Sequence, residues 1–374
     1  MRDRRGDSHS CMNRHMVPIA AGTTDHKRQL YTYTPSHTLD DVSRTMSGSD
    51  WIFEFCNDII AASTPLPNVV SISWTSVELS LGRTYVETSN ALLAAVGLMG
   101  ITIIAASGDN GSHGEGDEGC ASATTQPNWP ASSPYVLSVG ATQLSPSTPL
   151  LVPSSPFCNS YGCAGGGNEV VCSLATGAVI TSGGGFSAFA TQPTWQSASV
   201  EAYLASNPTL PPASAFNAAG RSYPDIAALG HALIMVQSGG SYSVDGTSGS
   251  APIIAAIIGL ANAARFTAGL PALGFVNPVL YSIARTVPAA FHDVTVGDNG
   301  CTKSMCGESC AGYGASAGWD AATGARRSIQ SGHVAHDCPP CLGRVTHARR
   351  CTYAPQGWER QTPPFSLLLS QQFH

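Results

Sequence analysis

The pattern of apolar and polar positions along the chain predicts helices that alternate with buried strands. Stretches with apolar side chains at helical spacing are separated by short, continuous apolar runs, which are typical of parallel strands covered on both faces. The predicted helices are residues 51–62, 84–99 and a segment within 187–207, and the predicted strands are residues 68–74, 101–106 and 135–139. Residues 223–228 are expected to lead toward a further helix that begins near residue 247. This order predicts an α/β fold in which a parallel sheet is flanked by helices.

Composition divides the chain into a central domain and two atypical ends. Six of the 18 lysines and arginines lie in residues 1–28 and six more lie after residue 325, so only six remain in the long stretch between. We therefore expect a domain over residues 29–324, an atypical N-terminal segment over 1–28 and an atypical tail over 325–374. Within the domain, the Gly- and Ser-rich residues 145–182 are expected to form an inserted surface loop.

A short motif before a long apolar run predicts a nucleophilic serine. Residues 246–252 read Gly-Thr-Ser-Gly-Ser-Ala-Pro and lead directly into the apolar residues 253–260. Ser248 would therefore lie in the first turn of a buried helix, where backbone N–H groups are unpaired and the helix dipole favours negative charge. A serine there can attack a carbonyl while neighbouring N–H groups receive the oxyanion. A loop that merely caps a core helix is the alternative, and the length of the motif favours the nucleophile.

A second motif follows the predicted strand 101–106. The strand ends in Ser-Gly-Asp-Asn-Gly, which places Asp109 directly beyond its carboxyl end. A carboxyl group can donate a hydrogen bond to an oxyanion only while it is protonated. An enzyme that uses Asp109 in this way would work at acid pH or would raise the pKa of this aspartate by burial. Taken alone, the motif is equally typical of an exposed turn.

Further segments match one known family in the same order along the chain. They are residues 70–74, 106–109, 130–136, 182–187, 220–227, 277–281, 291–295 and 318–320. Together with the motif around Ser248, they resemble the sedolisin family, the serine-carboxyl peptidases, over about residues 30–324. The resemblance implies a subtilisin-like parallel sheet and a peptidase active at acid pH on peptide or protein substrates, either as a tripeptidyl-peptidase or as an endopeptidase. In that chemistry Ser248 forms the acyl-enzyme, and Asp109 and the N–H of Ser248 stabilise the oxyanion.

The general base that the resemblance implies is not found in the sequence. The family carries a glutamate and an aspartate four residues apart on a helix, ahead of the segment that corresponds to residues 29–33. The first glutamate of this chain is Glu54. Glu54 and Asp58 have the required spacing but fall in the following predicted helix, where a solvated helix face is the favoured interpretation. Gly332-His333 superficially resembles a subtilisin-type histidine motif, but it follows Ser248 and lies in the atypical tail.

Two hypotheses about the missing base remain open. In the first, the native gene encodes the Glu/Asp pair upstream, and the sequence given has lost it. In the second, the protein is a catalytically inactive, peptide-binding pseudopeptidase in which Ser248 is vestigial.

The resemblance also implies one calcium ion near the end of the domain. Its ligands would be the carboxylates of Asp293 and Asp320 and the backbone carbonyls of Val294, Ser316 and Gly318. Hard oxygen ligands of this kind suit calcium. Two aspartates that cap turns are the alternative. A buried ion pair between Arg221 and Asp225 is expected to be structural.

Charge and cysteine content indicate which binding partners and which cellular compartment suit this protein. The net charge of −6 argues against nucleic acid and anionic membranes as partners, and no apolar run is expected to reach transmembrane length. Twelve cysteines fit a secreted or lysosomal protein, although their pairing cannot be read from the sequence and the first residues carry no apolar signal segment. The resemblance implies a lysosomal, vacuolar or extracellular enzyme, and we expect a monomer.

Overall fold

A computed structural model describes residues 51–62, 66–144, 169–206, 208–237 and 240–325, together with the backbone of residues 17–19 and 30–33. The helices are Trp51–Ala61 (α1), Glu78–Leu81 (α2), Arg83–Leu98 (α3), Thr194–Ala205 (α4), Thr247–Thr267 (α5) and Asn277–Thr286 (α6). The strands are Val17–Ile19 (β1), Leu30–Tyr33 (β2), Val69–Ile72 (β3), Ser76–Val77 (β4), Thr102–Ala106 (β5), Asn128–Trp129 (β6), Leu137–Leu144 (β7), Glu169–Val171 (β8), Gly185–Thr191 (β9), Gly220–Tyr223 (β10), Ile226–Leu229 (β11), Leu233–Gln237 (β12) and Gly240–Val244 (β13).

A largely parallel sheet forms the centre of the fold. Its strands are ordered β1-β2-β3-β5-β7-β11, and β8 also pairs with β7. The neighbours from β2 to β11 run parallel, whereas β1 and β8 are antiparallel to their partners. Every residue of β3 and β5 is buried, as expected for central strands that are covered on both faces. The predicted parallel α/β architecture is confirmed.

Alternating residues of the central strands face two separate helix layers. Val70, Ile72 and Ile103 belong to the core cluster that includes side chains of α1 and α3. Val69 and Ile104 belong to the opposite cluster, which includes side chains of α5 and α6. This division follows from the two-residue period of a strand, which sends successive side chains to opposite faces. The sheet is therefore held rigidly between two helix layers, and its strand ends are fixed in position.

Helix α5 is the main apolar helix of the second layer. It has 21 residues and a mean hydropathy of 1.4, so among the described residues it alone is long and apolar enough to cross a membrane. This corrects the expectation that no apolar run reaches transmembrane length. The helix packs against β3, β5, β7 and β11, and Ile254 and Ile258 are buried in that contact. Packing in the core accounts for its apolar composition.

The structure adds detail to one segment and differs from the expectation in another. Residues 223–228 are shared between β10 and β11, because Pro224 between the two strands has no N–H to donate to a ladder. Residues 169–182 were expected within a surface loop. They begin with β8, which pairs with β7, and Cys172 immediately after it is completely buried.

Two disulfides in the described residues tie the loops that follow β5 and α6. Cys120 is bonded to Cys310, and Cys301 is bonded to Cys306. The first bond joins positions 190 residues apart. A cross-link over so long a loop restricts the unfolded chain and thereby favours the folded one.

Candidate active site

Asp109 is presented at the carboxyl edge of the sheet. It follows β5 by three residues, after a turn in which Gly108 has a φ of 104°. A Cβ atom on Gly108 would lie 2.2 Å from Nδ2 of Asn128, so only glycine fits this position. The turn is fixed further because the N–H of Gly108 donates to Oγ1 of Thr247 over 3.1 Å.

Ser248 lies in the first turn of α5, as its motif predicts. Its side chain is exposed, and the helix begins one residue earlier at Thr247. Oδ1 of Asp109 accepts hydrogen bonds from both the backbone N–H and the Oγ1 hydroxyl of Thr247, each at 2.8 Å. The Asp109 carboxyl group thus satisfies an otherwise unpaired donor at the helix N-terminus. The structure therefore brings the two predicted catalytic side chains to adjacent positions.

The second carboxyl oxygen of Asp109 lies near Gly246, two residues before Ser248. An ideal Cβ atom on Gly246 would lie 3.6 Å from Oδ2 of Asp109 and 3.6 Å from Cβ of Ser248. The glycine therefore leaves open the space between the two side chains. Because Oδ1 is occupied by Thr247, Oδ2 is the oxygen left to act on a group bound beside Ser248.

Burial raises the pKa of Asp109 above its ordinary value, although the two hydrogen bonds from Thr247 act in the opposite direction. A raised pKa means that the protonated carboxyl group persists to higher pH than that of an exposed aspartate. In that form Asp109 can donate a hydrogen bond through Oδ2 while Oδ1 continues to accept. The direction of this pKa shift is the one that a hydrogen-bond donor at position 109 requires.

Both side chains open into one cavity of about 400 Å³. Its lining consists of Ser73, Trp74, Thr75, Ala106, Gly108, Asp109, Glu115, Thr247 and Ser248. The hydroxyl of Ser73, which follows β3, donates to the backbone carbonyl of Ser248 over 3.1 Å. Because β3 and β5 are adjacent parallel strands, their carboxyl ends meet at this edge, which is where ligands bind in open α/β sheets.

Glu115 is a second carboxylate of the cavity wall that sequence reasoning missed. Its Oε2 lies 2.9 Å from Nζ of Lys303, and Nδ2 of Asn110 donates to the same oxygen over 3.3 Å. Lys303 comes from the loop closed by the Cys301–Cys306 disulfide, and its backbone N–H donates to Asn110 over 3.0 Å. No local pattern marks Glu115, because its partners are distant in sequence.

The other base candidates do not lie in this cavity. Glu54 and Asp58 are exposed on α1, away from the helix face formed by Ile52 and Ile59. This confirms the solvated-face interpretation of the pair. The Glu/Asp pair that the resemblance implies is not found in the sequence before residues 29–33, and the histidine at position 333 lies outside the described residues.

The predicted calcium ligands are close together near the end of the domain. Asp293 accepts from the N–H of Gly318 over 3.0 Å, and Asp320 accepts from the N–H of Ser316 over 3.2 Å. Asp320 is completely buried, and burial raises its pKa to about 7. The hydroxyl of Ser316 is buried without a partner. The two carboxylates therefore bind N–H groups of residues 316–318, Asp320 also accepts from Ala322 and Thr323, and Val294 is buried.

A buried glutamate close to the cavity wall also escaped the sequence analysis. Glu78 is completely buried, and its carboxyl group accepts from the hydroxyl of Ser187 over 2.5 Å and from the N–H of Ala188 over 2.8 Å. These hydrogen bonds join Glu78, which follows β4, to strand β9. Burial raises its pKa above the ordinary value of a glutamate.

Substitution of Glu78 tests this connection. Glu78→Ala leaves two buried donors without an acceptor, so we expect a loss of about 2 to 3 kcal/mol in the free energy of unfolding, measured by urea denaturation. Glu78→Gln retains an acceptor and should lose less. Because the folded state resists ionisation of Glu78, the wild type should lose stability as pH rises above about 4.3, and Glu78→Gln should lack that loss. Equal stability of the alanine variant and the wild type would contradict the structural role.

Comparison with known proteins relates this chain to peptidases. Residues 18–269 match the Subtilase family. Physarolisin of Physarum polycephalum is 41% identical over 295 residues, which cover 74% of this chain and 50% of that protein. Tripeptidyl-peptidase 1 of Bos taurus is 37% identical over 273 residues, which cover 71% of this chain and 42% of that protein. The chain thus spans about half the length of the curated relatives it matches.

A solved structure of a serine-carboxyl proteinase is similar in both fold and sequence. Pseudomonas sedolisin, a serine-carboxyl proteinase complexed with two molecules of pseudo-iodotyrostatin, superposes with a TM-score of 0.55 and 25% identity. The match covers 75% of this chain and 66% of that chain.

Proposed function

This chain belongs to the subtilase family, and on that basis we propose that it is a serine-carboxyl peptidase that cleaves peptide bonds through Ser248. One observation carries the proposal above the others. Oδ1 of Asp109 accepts from both donors of Thr247, which leaves Oδ2 as the oxygen available to a bound group, and Asp109 and the exposed Ser248 line the same cavity. In this position a neutral carboxyl group can donate a hydrogen bond to the oxyanion that forms when Ser248 attacks.

The proposed reaction proceeds through an acyl-enzyme. Oγ of Ser248 attacks the scissile carbonyl and gives up its proton to a base, and the carbonyl oxygen becomes an oxyanion. The N–H of Ser248 and the protonated Oδ2 of Asp109 donate to that oxyanion. The intermediate then expels the amine, which takes a proton, and water hydrolyses the ester on Ser248. Preorganised donors of this kind lower the barrier because they need not reorient during the reaction.

The base of this reaction is assigned to the Glu/Asp pair that the family resemblance implies. Among the described residues that line the cavity, Asp109 and Glu115 are the carboxylates. Asp109 is required in its protonated form, and Glu115 is paired with Lys303. A separate carboxylate is therefore needed to accept the serine proton, and the residues ahead of β2 contain no glutamate that could supply it.

Tripeptide release and internal cleavage are both compatible with the resemblance, and we favour tripeptide release because tripeptidyl-peptidase 1 is among the relatives. We place the enzyme in a lysosomal, vacuolar or extracellular compartment. The disulfides Cys120–Cys310 and Cys301–Cys306 support this placement, because such bonds persist in oxidising compartments.

One calcium ion is proposed for the loop after α6. The site would use the carboxylates of Asp293 and Asp320 and the carbonyls of Val294, Ser316 and Gly318. The fit rests on two carboxylates that already bind N–H groups of the same turn, one of them completely buried. The ion would supply positive charge that offsets the burial of these carboxylates and would hold the loop in place. It takes no part in the bond-breaking steps.

Substitution of Asp109 tests the proposed function through its pH dependence. Protonated Asp109 is needed, so kcat/KM of the wild type should fall as pH rises through the raised pKa of this residue. Asp109→Asn keeps an N–H donor at every pH and should lose that fall while it remains active. Asp109→Ala removes the donor and should lower kcat about 100- to 1000-fold. An unchanged alkaline limb in Asp109→Asn would contradict the role assigned to Asp109.

A further inference from the structure

A carboxylate three residues before Ser248 has no role in the chemistry described so far. Asp245 is half-buried, its side chain is 7% exposed, and its carboxylate accepts three hydrogen bonds of 2.8 Å. The donors are Nδ1 of His231 and the backbone N–H groups of Ala232 and Val179. A carboxylate only accepts hydrogen bonds, so Nδ1 of His231 carries the proton.

The local charge balance favours the ionised form of Asp245. Burial opposes ionisation, but the two N–H donors and the ring of His231 outweigh it and hold the pKa of Asp245 below its ordinary value. One of these donors is itself unusual, because Ala232 has a φ of 53°, in the left-handed region that alanine rarely adopts. The hydrogen bond from its N–H to Asp245 stabilises this conformation.

Asp245 closes the base of the hairpin that leads into the nucleophile. Strands β12 and β13 lie between His231 and Asp245, so the bond between these two side chains joins the ends of the hairpin. The next residue, Gly246, donates its N–H to the carbonyl of Gly230 over 2.8 Å. The backbone that enters Ser248 is therefore fixed on both sides of Gly246.

The third donor connects Asp245 to the opposite side of the active site. Val179 begins a segment in which Thr181 donates its N–H to the carbonyl of Asp109 over 2.9 Å and accepts from the N–H of Gly111 over 2.9 Å. The side chain of Asp245 therefore holds the loop of Ser248 against the segment that pairs with the loop of Asp109. This link is independent of the direct contact between Asp109 and Thr247.

We propose that Asp245, oriented by His231, is a positioning residue that fixes Ser248 relative to Asp109. It is not among the residues that line the cavity and would act through the backbone of its neighbours. The inference rests on the peptidase function proposed above, because the position of Ser248 relative to Asp109 affects the rate only if Ser248 attacks a carbonyl. Small displacements of a nucleophile have large effects on rate: about 1 Å can lower it 100-fold.

The test compares Asp245→Asn with His231→Gln in the full chain. An asparagine at position 245 has only one side-chain oxygen, so its NH₂ group must face either the N–H of Val179 or Nδ1 of His231. Two hydrogen-bond donors then face each other, and the hydrogen bond is replaced by repulsion. We expect Asp245→Asn to lower kcat about 10- to 100-fold with KM within about twofold of the wild type. His231→Gln should lower kcat less, and the double variant should be no slower than Asp245→Asn alone, because both residues act through one contact. Ser243→Ala, an exposed position on the same hairpin, is the matched control and should leave kcat unchanged.

Amide hydrogen exchange provides a readout that does not depend on catalysis. In Asp245→Asn, peptides that cover residues 178–183 and 246–250 should exchange faster, whereas those of β5 should be unchanged. An unchanged kcat in Asp245→Asn, a loss confined to KM, or unaltered exchange in both segments would overturn the proposal. If the wild type hydrolyses no peptide, the proposed function fails, and the exchange experiment alone decides whether Asp245 joins the two loops.

Discussion

Replacement of Ser248 by alanine should abolish peptide hydrolysis. Without the hydroxyl no acyl-enzyme can form, and the remaining donors only bind substrate, so we expect kcat to fall roughly 10⁵-fold or more. Binding of a peptide should persist, because the cavity walls contributed by Trp74 and Thr75 are unaltered. The measurement is the initial rate of cleavage of a peptide amide at acid pH, together with peptide affinity by calorimetry.

Ser250→Ala is the matched control for this experiment. Ser250 lies one half-turn further along α5, is completely buried, and donates to the carbonyl of Ala228 over 3.0 Å. Its loss should lower stability by about 1 kcal/mol and leave kcat close to that of the wild type. Activity that survives in Ser248→Ala would place the nucleophile elsewhere. Equal peptide affinity of two inactive proteins, wild type and Ser248→Ala, would favour the non-catalytic, peptide-binding alternative.

Removal of Asp225 should cause the largest loss of stability. Asp225 is buried, and one of its oxygens, Oδ2, accepts from Nη2 of Arg221 over 2.5 Å, from the N–H of Ser138 over 2.8 Å and from Asn277 over 3.0 Å. The other oxygen accepts from the hydroxyl of Tyr281 over 2.9 Å. Asp225→Ala leaves the guanidinium buried without its counter-charge, so we expect a loss of about 3 to 5 kcal/mol.

Chemical denaturation measures this loss, with Glu54→Ala as the control. Glu54 is an exposed acidic residue on α1, and its removal should change the free energy of unfolding by less than about 0.5 kcal/mol. A loss below about 1 kcal/mol in Asp225→Ala would mean that the Arg221–Asp225 pair is not part of the stabilising core. The pair was expected from the sequence, and its burial and its additional partners became visible only in the structure.

The sequence predicted the parts of the site that are carried by continuous segments. Strand β5 is a mainly apolar run, and α5 combines a specific motif with a long apolar stretch, so both elements and the candidate residues Asp109 and Ser248 could be located. Both candidates lie at or just beyond the end of an element, where the local sequence pattern is most specific. In the structure the two residues are neighbours, because Asp109 accepts two hydrogen bonds from Thr247, the residue directly before Ser248.

Other features depend on contacts between residues far apart in sequence. Glu78 is buried because Ser187 and Ala188 supply donors from β9, and Glu115 is held by Lys303 from a disulfide loop. The sequence around Glu78 and Glu115 gives no sign of these distant partners. Helix α6 was missed although Pro278 near its start is a common helix signal, and the three-residue strand β8 lay hidden in a Gly- and Ser-rich stretch.

The central claim is that Ser248 forms an acyl-enzyme at acid pH with Asp109 protonated. The most direct test mixes the protein with an activated peptide ester, quenches with acid within milliseconds to seconds, and measures the intact mass. The expected result is a mass increase equal to the acyl group, located on a fragment that contains Ser248 and absent from Ser248→Ala. Hydrolysis of the ester without any adduct on Ser248, or an adduct that persists in Ser248→Ala, would contradict the proposed mechanism.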